Sequence, residues 1–182
     1  MNGFALVVAV TKTMGIGNKG GLPWSSIRGD MNFLKKITSE TKDAAKQNAV
    51  IMGRKTYVGI PAKFRPLSNR VNIVISTNAN LRKEESIPDS VHIVDSFDLA
   101  VTKAYNLPNI ENVFVIGGSS VYAEAMKHPQ CKTIYYTNIL TPDFTCDTFF
   151  PKIEENVFKV TSRSDLQQEG ETSYEFLTYY RI

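Results

Sequence analysis

The stretch that decides the fold is 113–122, VFVIGGSSVY, in which an apolar run passes directly into two glycines and two serines. An apolar run without strict alternation is typical of a strand that is buried on both faces of its sheet, and the small residues after it would open a helix. Residues 49–56, AVIMGRKT, repeat this arrangement with Arg54, Lys55 and Thr56 after the strand. Two such junctions predict an α/β fold, because a sheet buried on both faces needs helices on both sides.

Working outward, the same alternation continues along the chain. Apolar strands are predicted at 4–10 and 71–75, and helical spacing of apolar residues is found within 27–37, 99–104 and 121–126. Strand and helix therefore alternate, which favours a mostly parallel central sheet with right-handed crossovers. The length of 182 residues fits a single domain spanning 1–182.

The C-terminal third has a different character. Residues 133–140, 157–162 and 173–180 read as strands with no helix between them, which predicts an antiparallel C-terminal edge on the parallel sheet. The polar stretches 77–90 and 162–172 are expected to be exposed loops.

Composition excludes several classes of protein. No apolar run approaches the roughly 20 residues that cross a bilayer, and Met1 leads directly into the first strand without a signal segment, so we expect a cytoplasmic protein. The net charge of +3 is small and dispersed, which does not favour nucleic-acid binding but suits anionic small molecules. Cys131 and Cys146 are expected to be reduced, and neither has a metal-ligand spacing with His92 or His128, so no metal is expected.

The two strand–helix junctions are candidate phosphate sites. Free backbone N–H groups and the positive end of the helix dipole attract an anion, and Arg54, Lys55 and Thr56 add charge and donors. Taken singly, a glycine pair is more often a tight turn and a basic helix start more often a solvated face. The two junctions together indicate a ligand site more strongly, because ligands bind at the carboxyl edge of an open α/β sheet.

Asp30 is the most notable acid. It lies three residues after Ile27 and four before Leu34, which places it on the apolar face of the predicted helix, where a carboxyl could hold a protonatable heterocycle. The alternative is that Asp30 only stabilises the first helical turn, by about 0.3 to 1 kcal/mol. Spacing alone slightly favours the alternative.

A glycine-rich segment follows the first strand. Gly15, Gly17, Gly20 and Gly21 precede Leu22-Pro23-Trp24, which contains the only tryptophan of the chain. A mobile lid over a site and an ordinary surface loop with a packing tryptophan are equally consistent with this pattern.

Seven segments follow one another along nearly the whole chain: VVAV at 7–10, MGIG at 14–17, LPW at 22–24, VIMGRKT at 50–56, RPL at 65–67 with Arg70, VIGGSSVY at 115–122 and DTFFP at 147–151. In their order and spacing they resemble the dihydrofolate reductase family, in its longer animal-like form. The resemblance implies NADPH-dependent reduction of 7,8-dihydrofolate to tetrahydrofolate, in support of one-carbon metabolism and thymidylate synthesis. It also implies a monomer that binds antifolates such as methotrexate.

The resemblance further implies a pterin pocket. Asp30 would anchor the pterin with Thr137 beside it through a water, Trp24 would hold a second water, and a proton would reach N5 from water entering beside Leu22. Arg70 would clamp the carboxylate of the glutamate tail. The substrate-binding set implied in this way is Val7, Val8, Asp30, Met31, Leu34, Ile60, Arg70, Ile116 and Tyr122.

For NADPH, the resemblance implies a nicotinamide site, a pyrophosphate cradle and a 2′-phosphate site. Ala9 and Ile16 would hold the carboxamide, with a cis peptide between Gly117 and Gly118. The cofactor-binding set is Ala9, Ile16, Gly17, Gly53, Arg54, Lys55, Thr56, Ser76, Thr77, Gly117, Gly118, Ser119, Ser120, Val121 and Tyr122.

Three departures from the animal pattern bear on specificity. Asp30 replaces the usual Glu, and Met31 and Leu34 stand where Phe is usual, which should change inhibitor selectivity. Thr77 and Asp95 stand where some relatives have Arg, which would weaken discrimination for NADPH over NADH.

Two other functions are weighed against this one. A related pterin or flavin-precursor reductase of the same fold would not keep Asp30, Trp24 and Arg70 together. A catalytically silent nucleotide- or RNA-binding protein would not need a complete pterin pocket, and it would be expected to carry more basic charge.

Overall fold

The computed structural model describes residues 3–182. Its strands are β1 (Phe4–Thr11), β2 (Gly15–Gly17), β3 (Gln47–Gly53), β4 (Arg70–Ile75), β5 (His92–Val94), β6 (Ile110–Val115), β7 (Cys131–Thr141), β8 (Thr148–Phe149), β9 (Phe158–Arg163), β10 (Gln167–Glu169) and β11 (Thr172–Arg181). Its α-helices are α1 (Arg28–Ser39), α2 (Arg54–Gly59), α3 (Leu81–Glu84), α4 (Phe97–Asn106) and α5 (Ser119–Lys127). A 3₁₀ turn covers Ala62–Phe64.

The main sheet has the strand order β10-β11-β7-β1-β6-β3-β4-β5, and β9 also pairs with β11. Strands β7, β1, β6, β3, β4 and β5 run parallel to one another, whereas β11 is antiparallel to β7, β9 and β10. The predicted α/β fold, with a mostly parallel sheet and an antiparallel C-terminal edge, is therefore confirmed. A second, two-stranded sheet pairs β2 with β8.

The core lies on both faces of the main sheet, as the unbroken apolar runs predict. In β1, Leu6, Val8 and Val10 pack on the face covered by α4 and α5. Ala5 and Val7 pack on the other face, against side chains from α1 and α2. The side chain of Val7 therefore lies on the sheet face that α1 covers, and the side chain of Val8 lies on the face that α5 covers.

The two predicted loops are wrong in part. Within 77–90 the chain forms α3, because Leu81 and Ile87 are buried apolar anchors in an otherwise polar stretch. Arg82 fixes the end of this stretch by donating from Nη1 to the Pro88 carbonyl at 2.6 Å and from Nη2 to the Val91 carbonyl at 2.8 Å. Within 162–172 the chain forms β10, a strand too short to show a period of two.

Two expectations from composition can be compared with the fold. Both Cys131 and Cys146 are free thiols. Among residues 3–182, no helix combines the length and the apolar composition that crossing a membrane requires.

Candidate active site

The two strand–helix junctions meet at the carboxyl edge of the sheet. Strands β3 and β6 are paired, and the Gly53 N–H donates to the Gly117 carbonyl at 2.8 Å. A Cβ on Gly118 would lie 3.4 Å from Thr56 Oγ1, so the start of α2 and the start of α5 are in close contact. The two candidate phosphate sites therefore form one surface.

The turn between β6 and α5 admits only glycine at its first position. The Gly117-Gly118 peptide is cis, and Gly117 has φ of 123°, a conformation that side-chain-bearing residues rarely adopt. A Cβ there would also lie 3.3 Å from the Tyr122 ring. Among the residues that the structure describes, no side chain caps the N-terminus of α5, which leaves backbone N–H groups of its first turn available to a ligand.

Tyr122 connects this turn to β1. It is 5% exposed, and its hydroxyl donates to the Val7 carbonyl at 2.6 Å. Burial raises the pKa of Tyr122, and the negative charge of Asp30 raises it further, so the phenol stays a neutral donor. A carbonyl oxygen has two lone pairs, so the bond from Tyr122 uses only one of the two acceptor positions of Val7.

Positive charge lies beside the α2 junction. Gly53 pairs with Ile75 in the sheet, so Arg54 and Ser76 directly follow the ends of neighbouring strands. Within the described residues 3–182, neither Arg54 nor Lys55 makes a salt bridge. Ser76 accepts a hydrogen bond from the Asn78 N–H at 3.1 Å, and Thr77 is exposed. Uncompensated cations at this edge suit a phosphate monoester.

Asp30 lies in the first turn of α1 and is half-buried. Thr137 in β7 donates its hydroxyl hydrogen to Asp30 Oδ1 at 2.6 Å. The expectation of a water between these two side chains is therefore wrong, because the contact is direct. Burial raises the pKa of Asp30, and the hydrogen bond from Thr137 partly offsets that shift.

Apolar side chains predicted for the pterin pocket lie on the same sheet face as α1. Leu34, Ile60 and Ile116 are half-buried against the cluster that contains Val7. Leu22 is 60% exposed and Met31 is 53% exposed. Exposure of this extent is expected of apolar side chains that form the walls of an open cleft.

The side chain of Val8 lies away from the sheet face that α1 covers. Its side chain packs on the opposite face of the sheet, with Val121 and Tyr122, because neighbouring residues of a strand point to opposite faces. Only the backbone of Val8 can therefore contact a ligand beside Asp30.

Arg70 begins β4 and is held by two hydrogen bonds. Its Nε donates to the Ser68 carbonyl at 2.8 Å, and its Nη1 donates to Thr38 Oγ1 at 2.9 Å. Thr38 is fully buried and donates its own hydroxyl hydrogen to the Leu34 carbonyl at 2.7 Å. Burial lowers the pKa of Arg70, but a guanidinium remains charged at any physiological pH.

Thr38 was missed by sequence reasoning. The one available signal is that it lies four residues after Leu34, on the apolar face of α1, where a hydroxyl must find a partner.

The glycine-rich segment forms β2 and is attached to β8. The Lys19 N–H donates to Asp147 Oδ2 at 2.9 Å, and the Asp147 N–H donates to the Gly17 carbonyl at 2.9 Å. Trp24 is 6% exposed and makes an edge-to-face contact with Phe144. The packing function of Trp24 is thus confirmed, while the lid stays a prediction.

A family model described as dihydrofolate reductase matches residues 3–181. The chain belongs to the dihydrofolate reductase family. Within that family it is 41% identical over 181 residues to the dihydrofolate reductase of Heliothis virescens, an alignment that covers 97% of this chain and 96% of the relative. The dihydrofolate reductase of Drosophila melanogaster is 40% identical over 177 residues, covering 95% of this chain and 94% of the relative.

The chain is also similar to part of a longer member of the dihydrofolate reductase family. A bifunctional dihydrofolate reductase-thymidylate synthase of Arabidopsis thaliana is 40% identical over 181 residues, which is 98% of this chain and 34% of that protein. The resemblance recognised from the seven sequence segments is confirmed, including its animal-like type, by the two insect enzymes.

Proposed function

We propose that this chain reduces 7,8-dihydrofolate to 5,6,7,8-tetrahydrofolate with NADPH. The observation that carries the proposal is Asp30, a half-buried carboxyl that accepts a hydrogen bond from Thr137 at 2.6 Å. Family membership supports the same reaction. A carboxyl in this environment can pair with the N3 and 2-amino groups of a pterin through two hydrogen bonds.

The residues at the two junctions fit a nicotinamide dinucleotide. When bound, that cofactor supplies hydride from nicotinamide C4 to pterin C6. Gly118 and the first turn of α5 offer free N–H groups to the pyrophosphate, and the absence of a Cβ at Gly117 leaves room beside Tyr122. Ala9, Ile16 and Gly17 would contact the carboxamide end.

On the substrate side, the protein supplies position and electrostatics. The Val7 and Ile116 carbonyls would accept hydrogen bonds from the pterin edge, opposite the bonds made by Asp30. Asp30 would orient and polarise the pterin, and water beside the exposed Leu22 would bring the proton to N5. Trp24 would hold a second ordered water.

The direct test is the loss of absorbance of NADPH with purified protein and dihydrofolate, with and without methotrexate. Methotrexate-sensitive loss is expected. Loss with another pterin or a flavin precursor, but not with dihydrofolate, would favour the related reductase. NADPH binding without turnover of any of these substrates would favour the silent binding protein.

We expect a preference for NADPH over NADH that rests on Arg54 and Lys55. Replacing Lys55 with Gln should raise KM for NADPH about tenfold and leave KM for NADH unchanged, because a charge-assisted hydrogen bond to phosphate contributes about 1.5 kcal/mol. Lys127→Gln, which removes one positive charge at the far end of α5, is the matched control. Equal effects of Lys55→Gln on both cofactors would contradict this assignment.

Thr77 and Asp95 should limit that preference, since neither adds positive charge near the 2′-phosphate. Thr77→Arg is therefore expected to increase the ratio of turnover with NADPH to turnover with NADH.

The monomeric state and the cytoplasmic location of the chain both stay predictions. Size-exclusion chromatography tests the monomeric state.

A further inference from the structure

Helix α1 carries Asp30 but has no N-terminal cap of its own. Its N-cap residue is Ile27, whose side chain accepts no hydrogen bond from the first turn. The first N–H groups of a helix need partners from outside the helix, and an apolar N-cap cannot provide one.

A residue far along the chain provides the partner. Glu169 at the end of β10 accepts a hydrogen bond from the Arg28 N–H through Oε2 at 2.7 Å. Its Oε1 accepts a second from the Gly29 N–H at 3.1 Å. The two bonds lower the pKa of Glu169, with a smaller contribution from the Arg28 charge, so the carboxylate is ionised at neutral pH.

The same turn is packed against β11. A Cβ on Gly29 would lie 2.0 Å from the Tyr174 hydroxyl oxygen, so only glycine allows α1 to approach Tyr174 this closely. Tyr174 is 4% exposed. Its pKa is raised by burial and then by the charges of Glu169 and Asp30, which places the phenol in the field of both carboxylates.

We propose that Glu169 is a positioning residue that sets Asp30 in the substrate site. Asp30 follows Gly29 directly and contacts Thr137, which pairs with Phe176 across β7 and β11. Glu169 pairs with Thr172, the first residue of β11. The first turn of α1 is thus attached to the antiparallel part of the sheet at two points, through Thr137 of β7 at Asp30 and through Glu169 of β10 at the two preceding residues.

The proposal rests on the proposed function and predicts which ligand is affected. Helix α1 supplies Asp30, Met31 and Leu34 to the pterin pocket. The residues assigned to the cofactor lie on β1, β2, the end of β3, α2, the segment after β4, the turn after β6, and α5. Loss of the Glu169 bonds should therefore weaken pterin binding and leave cofactor binding unchanged.

The experiment compares Glu169→Ala, Glu169→Gln and Glu169→Asp with Glu171→Ala, an exposed control in the same turn. We expect Glu169→Ala to raise KM for dihydrofolate about fivefold, a size set by the loss of a charged helix cap. KM for NADPH should not change. Gln should give a smaller increase, since its amide oxygen can accept one of the two bonds, and Asp should recover part of the loss by keeping the charge.

Backbone hydrogen exchange provides a readout that needs no substrate. The Arg28 and Gly29 amides should exchange faster in Glu169→Ala than in Glu171→Ala. If the wild-type protein failed to turn over dihydrofolate, the proposed function would fail while this exchange result would still stand.

Two results would overturn the proposal. One is equal behaviour of Glu169→Ala and Glu171→Ala in amide exchange and in KM for dihydrofolate. The other is a fall in kcat with both KM values unchanged, which would indicate only a smaller folded fraction. Faster exchange together with a selective rise in KM for dihydrofolate would support it.

Discussion

Asp30→Asn is expected to lower kcat/KM for dihydrofolate about 10²- to 10³-fold near neutral pH. This loss lies within the range for removing a group that assists proton transfer in the transition state. The amide cannot carry the negative charge that favours a protonated pterin. Activity should recover in part at low pH, where the substrate is already protonated in solution. A pH profile of kcat/KM from steady-state rates, with active sites counted by methotrexate titration, gives the measurement.

Thermal unfolding of the same variant separates function from folding. The pKa of Asp30 is raised in the folded protein, so its contribution to stability is fully present below its ordinary pKa and is lost as pH rises through the folded value. The ionised carboxyl therefore stabilises the fold less than the protonated carboxyl does. Asp30→Asn should leave Tm unchanged or higher, and the amide oxygen can still accept the hydrogen bond from Thr137.

Asp30→Glu and Thr137→Val complete the comparison. Glu is the residue that the animal pattern has at this position, so this variant should keep much of the activity. Thr137→Val removes the hydrogen bond that lowers the pKa of Asp30, so the limb of the pH profile that reports Asp30 should shift to higher pH. Unchanged rates in Asp30→Asn across the profile would refute the role assigned to this carboxyl.

The parts of the fold that could be predicted are those where local pattern and burial agree. The runs 49–52 and 113–116 are apolar without interruption because both faces of β3 and β6 are covered, and their glycines mark where each strand gives way to a helix. The same two patterns placed both junctions at one edge of the sheet, which the hydrogen bond from Gly53 to Gly117 confirms.

The parts that could not be predicted depend on contacts between distant segments. Nothing near Glu169 in the sequence indicates that it caps a helix 140 residues earlier. The sequence around Thr38 likewise gives no sign of its role, which is to accept a hydrogen bond from the Arg70 guanidinium at the start of β4. Pattern reasoning finds the elements and the residues that would face a ligand, whereas the residues that hold them in place through contacts between distant segments appear only after the chain has folded.

The position of Asp30 illustrates the limit for the site itself. Spacing slightly favoured a helix-terminal role for this residue, and the resemblance was needed to make it the pterin anchor. The structure adds that both aspects occur together, because Asp30 lies in the first turn of α1 and is also half-buried beside Thr137.

Arg70→Leu is expected to raise KM for dihydrofolate about 10²-fold, the lower part of the range for truncating one partner of a hydrogen-bonded charge pair. The guanidinium is fixed in orientation by Thr38 and Ser68, so two parallel N–H groups can meet the carboxylate of the glutamate tail without further ordering. Arg70→Lys should fall between the wild type and Leu, since it keeps charge but not the paired geometry. Steady-state kinetics with dihydrofolate gives the measurement.

A dihydropterin without the glutamate tail is the control substrate for the same variants. Its KM should hardly change in Arg70→Leu, because the carboxylate that Arg70 would bind is missing. Thr38→Val should raise KM for dihydrofolate about threefold to tenfold, the effect of losing one hydrogen bond that orients the guanidinium. Equal losses on both substrates would instead indicate that Arg70 supports the packing of α1 against β4, and the tail would then have to be bound elsewhere.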